Sequence, residues 1–362
     1  MHLRNNSTLT VLFALFIFNI GMGAQQPSAP SSAPPPTNSQ PAAPAQQPGP
    51  AQPAPNNQTA PPAGGQEAPP ASQEPGTEGG GFVFKAEVQE VVLHATVVDD
   101  KQRMITNLDK NAFTVFENGK HQNITSFRHE DIPIALGIVI DNSGSMREKR
   151  DRVNRAALNL VRASNPQDQV FIVNFNDEYY LDQDYTSNVN KLREALEKVE
   201  SRGGTALYDA LVASADHLKK SAKLQKKALL VVTDGEDNAS RESLETAVRR
   251  LQEENGPTVY AIGILGDEKQ RRARRALQTI AERTGGIAFL PKNADEVDEI
   301  SRTVAHDIRN QYTIGYKPTT PKSAGGYRTI HVDARAHGYN KLTVRTRSGY
   351  YAGQEQATGG SN

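Results

Sequence analysis

Three separate stretches of this sequence carry oxygen donors of the types and spacings that hold a hard cation. The first is "DNSGS", with Asp141, Ser143 and Ser145 at alternate positions directly after the apolar run "ALGIVI" at 135–140. The second is "SRGGT", where two glycines precede Thr205. The third is "TDG", which sets Asp234 just beyond the apolar "ALLVV". Two carboxylates and three hydroxyls, with no imidazole or thiolate, select Mg²⁺, Mn²⁺ or Ca²⁺ over Zn²⁺ or Cu²⁺, and Mg²⁺ is the expected ion. The two carboxylates balance a divalent charge. Hydroxyls and water then fill most of an octahedron, and one position stays open to a carboxylate from a partner. Asp209, Glu236 and Asp237 lie near these stretches and read as supporting residues or solvated helix starts.

Such donors must be brought together by the elements that carry them. Apolar runs at 135–140, 170–175, 228–232, 259–265 and 287–290 read as strands covered on both faces, hence a mainly parallel sheet. Residues 179–185 suggest a short edge strand. Between the runs, apolar residues recur at helical spacing: Val153, Ala157, Leu160 and Val161; Val189, Leu192, Leu196 and Val199; Leu207, Leu211, Ala215 and Leu218. The pattern continues through Leu244, Val248 and Leu251, then Ala273, Leu277 and Ile280, and ends with Val297, Ile300, Val304 and Ile308. Asn293 and Glu296 are spaced as a capping box for that last helix. Repeated strand–helix units predict a doubly wound α/β domain over 131–309. Ligands of such sheets sit at the carboxyl ends of the strands, where Asp141 and Asp234 fall. "SRGG" would let the backbone approach closely and set the Thr205 hydroxyl at a helix start.

The flanks read differently. Residues 82–98 are strand-like, and Asn118-Gly119 divides "FTVFENGKHQNITSF" as a hairpin turn. After Asn310, "QYTIGYKP", "YRTIHVDARAH" and "KLTVRTRSGYYA" are again strand-like. The flanks at 82–130 and 310–352 are expected to pair into an accessory β-sandwich, with residues 353–362 a disordered tail.

The five donor positions taken in order resemble the von Willebrand factor type A domain with its metal-ion-dependent adhesion site: Asp-x-Ser-x-Ser, a distant Thr and a distant Asp. The resemblance covers about 132–307 and implies a Rossmann-like fold. It also implies that Ser143, Ser145 and Thr205 bind the metal directly, with Asp141 and Asp234 acting directly or through water. The flanks look like those of exported proteins of acidobacteria that carry this domain. The family implies adhesion, a partner's acidic residue completing the site.

The 362-residue chain has 41 basic and 41 acidic side chains and no cysteine. Zero net charge gives no general pull toward nucleic acid or anionic lipid, and no disulfide framework is possible. Arg4, an apolar run at 9–20 and small residues at Gly21, Gly23 and Ala24 have the anatomy of a signal peptide over 1–24. An exported protein is expected, periplasmic, in the cell envelope or secreted. It would touch a membrane only if that apolar segment is retained as an anchor. Residues 25–81, rich in Pro, Ala and Gln, read as a disordered spacer.

Rival functions fit less well. Ser143 and Ser145 lack a Gly-x-Ser-x-Gly setting, and the eight histidines form no metalloprotease pattern, so no enzyme, a hydrolase included, is expected. "SRGGT" lacks the lysine of a phosphate loop. The basic run Lys269, Arg271, Arg272, Arg274 and Arg275 alternates with Ala273, Ala276 and Leu277 and reads as a solvated helix face, with no nucleic-acid partner. The expected function is divalent-metal-dependent binding of a protein or surface ligand. The alternative is a structural cell-envelope protein whose metal serves stability alone.

Overall fold

The computed structural model describes residues 90–265 and 270–353. The expected signal segment 1–24, the spacer 25–81, the start of the first flank at 82–89, Lys269 and the tail from 354 lie outside the described residues. Described strands of the first flank are β1 (Val91–Asp99), β2 (Phe113–Glu117), β3 (Lys120–Gln122) and β4 (Ile124–Arg128). Asn118 and Gly119 have φ of 49° and 74°, the left-handed pair that a two-residue hairpin turn requires. They join β2 to β3 as expected. The second extended run does not stay in that hairpin, however. It divides at Asn123, and β4 crosses to the other sheet of the sandwich.

The α/β part follows. Its strands are β5 (Ile134–Asp141), β6 (Gln169–Phe175), β7 (Tyr179–Thr186), β8 (Lys226–Thr233), β9 (Thr258–Gly263) and β10 (Ala288–Phe289). They form one sheet in the order β10-β9-β8-β5-β6-β7, with the first five parallel and β7 antiparallel at the edge. Its helices are α1 (Arg150–Ala163), α2 (Val189–Glu197), α3 (Leu207–Ser221), α4 (Leu244–Leu251), α5 (Arg271–Thr284) and α6 (Val297–Arg309). A doubly wound, mainly parallel sheet is thus present.

β5 shows why its sequence is continuously apolar. Ile134, Leu136, Ile138 and Ile140 pack with α1, α2 and α6, while Ala135 and Val139 pack with α3, α4 and α5. All eight of its residues are buried. At Gly137 an added Cβ would lie 2.3 Å from the Phe171 ring and 2.5 Å from Leu229, whose side chains fill that space.

The second flank supplies β11 (Tyr312–Tyr316), β12 (Gly326–Ala334), β13 (Leu342–Arg345) and β14 (Gly349–Ala352). It interleaves with the first in two antiparallel sheets, β13-β1-β11-β4 and β14-β12-β2-β3. Leu93, Val97, Val115, Tyr312, Ile314, Val332 and Tyr350 fill the layer between them. The accessory sandwich is therefore built jointly by both flanks.

Local capping departs from the expected box. Asn293 accepts from the Asp295 N–H at 2.9 Å, and Glu296 reaches back to the Lys292 N–H at 3.2 Å rather than to Asn293. A turn of 3₁₀ helix at Ala294–Glu296 precedes α6 and shifts the reciprocal pair by one residue. On α5, Ala273, Ala276 and Leu277 are buried while Arg271, Arg272 and Arg275 are exposed, the solvated basic face the sequence predicts.

Candidate metal centre

β5 and β8 are neighbours at the point where the strand order reverses, so the carboxyl-terminal crevice of the sheet opens between them. Asp141 ends β5. Its Oδ1 accepts from the Ser143 N–H at 2.7 Å, closing an Asx turn that lifts the chain off the sheet. Its Oδ2 accepts from the Thr233 hydroxyl at 2.6 Å, a bond that crosses the crevice from the end of β8. A single 3₁₀ turn, Gly144–Met146, follows and is plugged into the core by the buried Met146. That plug turns Ser145 toward the sheet edge, where its hydroxyl lies 3.2 Å from that of Ser143 and donates to Asp234 Oδ1 at 2.7 Å.

The third loop is knitted to the other two through its backbone. Gly144 N–H donates to the Gly203 carbonyl at 3.2 Å, and Arg202 N–H to that of Asn142 at 2.8 Å. Gly203 has φ of 74°, and a Cβ there would lie 2.1 Å from the Asp177 carboxylate, which accepts from the Gly204 N–H at 2.8 Å. A larger residue would break this approach. Thr205 is not the first residue of α3 or its cap: the helix begins two residues later. The backbone of Thr205 instead pairs with the loop after β8. Its N–H donates to Asn238 Oδ1 at 2.9 Å, and its carbonyl accepts from Asn238 and Ala239 at 3.0 and 3.2 Å. Its hydroxyl lies 3.5 Å from where a Cβ on Gly235 would sit, beside Asp234.

The five expected residues thus converge on one end of one sheet, with Ser143, Ser145 and Asp234 in direct contact. Asp141, Ser143, Thr205 and Asp234 are all buried. Burial pushes the Asp141 carboxyl above its ordinary range and the Asp234 charge adds to this, against the bonds from Thr233 and Ser143. Two buried carboxylates in mutual repulsion, ringed by hydroxyls, fit a divalent cation by donor chemistry. No group of three or more His, Cys, Asp or Glu side chains that could hold a metal occurs among the described residues.

Asp209, Asp237 and Glu236 stand one layer away. Asp237 accepts from the Tyr208 N–H at 2.9 Å and the Ser240 hydroxyl at 2.6 Å, tying the loop after β8 to the first turn of α3. Asp209 accepts from the Arg241 and Glu242 N–H groups. Glu236 is exposed and pairs with Arg272 at 3.7 Å.

Two residues of the site escaped the sequence reading. A hydroxyl at a strand end, such as that of Thr233, carries no pattern of its own. Lys149 places its ammonium on Asp234 Oδ2 and donates to the Ser145 carbonyl at 3.1 Å. In the sequence it reads as one surface charge among several, with no signal that marks it.

Residues 136–236 match the family model of the von Willebrand factor type A domain. A Synechocystis sp. protein described as uncharacterized is 22% identical over 162 residues, 44% of this chain and 38% of that protein's length. Among solved structures, a von Willebrand factor type A protein from Catenulispora acidiphila is similar over 68% of this chain and 74% of its own, with 14% identity and a TM-score of 0.44. An aerotolerance-related membrane protein from Bacteroides fragilis is similar over 48% and 98%, with 19% identity and a TM-score of 0.40. The vWF domain of the type V pili tip protein Mfa5 from Porphyromonas gingivalis is similar over 49% and 97%, with 14% identity and a TM-score of 0.40.

Proposed function

We propose that this chain is a non-catalytic binding module whose seat for a divalent cation, Mg²⁺ above all, receives an acidic residue of a protein or surface ligand. The observation that carries the reading is the convergence of Asp141, Ser143, Ser145, Thr205 and Asp234 at the crevice between β5 and β8. Ser143, Ser145 and Thr205 would hold the ion directly, with Asp141 and Asp234 balancing its charge directly or through water. The ion would supply a positive centre with room for one further oxygen.

Two surroundings support a macromolecular partner. Tyr179, Tyr180 and Leu181 are 50%, 45% and 48% exposed on the edge strand β7. They follow the loop whose Asp177 holds Gly204, so an apolar rim adjoins the polar seat. The Ser143 and Ser145 hydroxyls bond to each other and that of Ser145 donates to Asp234, an arrangement for holding a cation rather than for activating a nucleophile. Export is supported by the apolar run at 9–20, and we place the module in the cell envelope or outside the cell. No described helix is long and apolar enough to cross a membrane.

Titration calorimetry of the full chain with Mg²⁺ and Mn²⁺ tests the reading. One saturable site, lost in Asp141→Ala while the circular dichroism spectrum is retained, is expected. A folded protein that takes up neither ion at millimolar concentration overturns it.

A further inference from the structure

The lysine in the site asks for an explanation that a cation seat alone does not give. Lys149 stands at the amino end of α1, with its backbone fixed by its N–H to the Met146 carbonyl at 2.9 Å and by its own carbonyl, which accepts from Arg152 and Val153 at 3.1 Å. From there its side chain reaches over the rim, 31% exposed, to an Asp234 carboxylate that is 1% exposed. The same carboxylate takes the Ser145 hydroxyl on its other oxygen, so the ammonium sits on the oxygen cluster proposed to hold the metal. Its second acceptor, the Ser145 carbonyl, belongs to the same turn.

We propose that the Lys149 ammonium is a tethered competitor for the cation seat, closing the site when no divalent ion is bound and swinging to the rim when one enters. The inference rests on the metal-binding reading above. Three features favour it. The lysine arrives from solvent, so it can leave by rotating its side chain with no change to α1. One ammonium balances only one of the two carboxylates, Asp141 and Asp234, so a divalent ion offers the seat more charge than the lysine does. A displaced ammonium remains tethered within a side chain's length of the bound ion, where it adds to the attraction for an acidic partner.

The neighbouring basic residues are occupied elsewhere. Arg147 donates to the Ser201 carbonyl at 3.3 Å, and Arg150 donates to Asn142 Oδ1 and the Leu196 carbonyl. Among the described residues, Lys149 is the basic side chain that bonds to one of the two site carboxylates.

Lys149→Met keeps the aliphatic stem and removes the charge. By calorimetry on the full chain, Mg²⁺ should bind this variant about ten- to a hundredfold more tightly than wild type, the scale of one partly buried ion pair that entry of the metal must otherwise break. In wild type, acylation of Lys149 by an amine-reactive reagent, mapped by mass spectrometry, should be slow in chelator and rise when Mg²⁺ is added. Equal Mg²⁺ affinity in the two proteins, or Lys149 reactivity unmoved by Mg²⁺, overturns the competitor while leaving the metal site standing. Absence of Mg²⁺ binding in both folded proteins overturns the metal site itself, and the competitor with it.

Discussion

A cluster in the sandwich and a cluster at the end of the α/β sheet both bury carboxylates, and they are finished differently. In the sandwich, Glu117 on β2 is buried against Arg328 on β12, Nη1 to Oε1 at 3.1 Å. Its other oxygen accepts from the Tyr316 hydroxyl at 2.6 Å and the Tyr350 hydroxyl at 3.0 Å. Arg328 also donates to the Thr320 carbonyl at 2.7 Å. One negative charge meets one positive charge, and every oxygen has a donor. Burial, together with Glu117, holds both tyrosine hydroxyls well above their ordinary range, so they act as donors throughout the working pH range. At the sheet end, Asp141 takes the Thr233 hydroxyl, and Asp234 takes the Ser145 hydroxyl and the Lys149 ammonium. The first cluster is closed and can only hold strands together. The second sets two buried carboxylates, Asp141 and Asp234, against one ammonium, and that deficit is what the proposed cation would make good.

The sharpest way to break the contrast is to open the closed cluster. Arg328→Met strands the Glu117 charge between two sheets and should lower unfolding free energy by about 3–5 kcal/mol. Adding Glu117→Gln should recover part of that loss. Urea denaturation of the single and double variants measures both steps. A single variant within about 1 kcal/mol of wild type would remove the distinction, since typical surface pairs lie in that range.

Another buried carboxylate, Asp168, sharpens the comparison, because it has neutral donors first and charges second. Asp168, at the amino end of the same sheet, accepts from the Ile134 N–H at 2.9 Å and the Asn165 N–H at 3.2 Å. Burial pushes it up to about 6 and the Asp131 charge adds, against those two N–H bonds and the Lys226 charge. A carboxyl raised in the folded state keeps its proton longer than in the unfolded chain. Its contribution to stability is therefore full below about pH 4 and lost as pH rises through about 6, on the order of 3 kcal/mol. Asp168→Asn cannot titrate. The stability of wild type relative to this variant should fall across that window, read from urea midpoints at several pH values. A constant difference would refute the assignment.

How far the sequence reaches is instructive in the same terms. The strands and helices of the α/β part were legible because burial on two faces leaves an unbroken apolar run, as in β5, and burial on one leaves a helical stripe, as in α5. The five donor positions were legible because each follows such a run or a glycine pair. Lys149 was not. In "MREKRDR" it reads as one surface charge among several, and only the 3₁₀ turn anchored by Met146 aims it at Asp234. Glu117 reads as the polar end of a hairpin, and its partner Arg328 lies 211 residues away. That contact depends on how two flanks face each other, which no local pattern encodes. The same blindness explains β4, whose departure from the hairpin is decided by pairing with β11.

The smallest effect tests the open cluster from within. Asp141→Asn keeps the acceptor for the Ser143 N–H but removes one of two repelling buried charges. In chelator the variant should equal or exceed wild type in stability, by about 1 kcal/mol, because an uncompensated buried charge opposes folding. With Mg²⁺ present, wild type gains RT ln(1 + [Mg²⁺]/Kd) and the variant, which has lost half of the site's anionic charge, gains little. The order of stability of the two proteins should therefore invert between chelator and metal. The sandwich cluster cannot show such an inversion, because no added ion enters it: Glu117→Gln should change stability by the same amount in both conditions. Thermal melts of the two variants beside wild type, with chelator and with Mg²⁺, supply the comparison. A deficit for Asp141→Asn that is equal in both conditions would make Asp141 a structural residue of the same kind as Glu117.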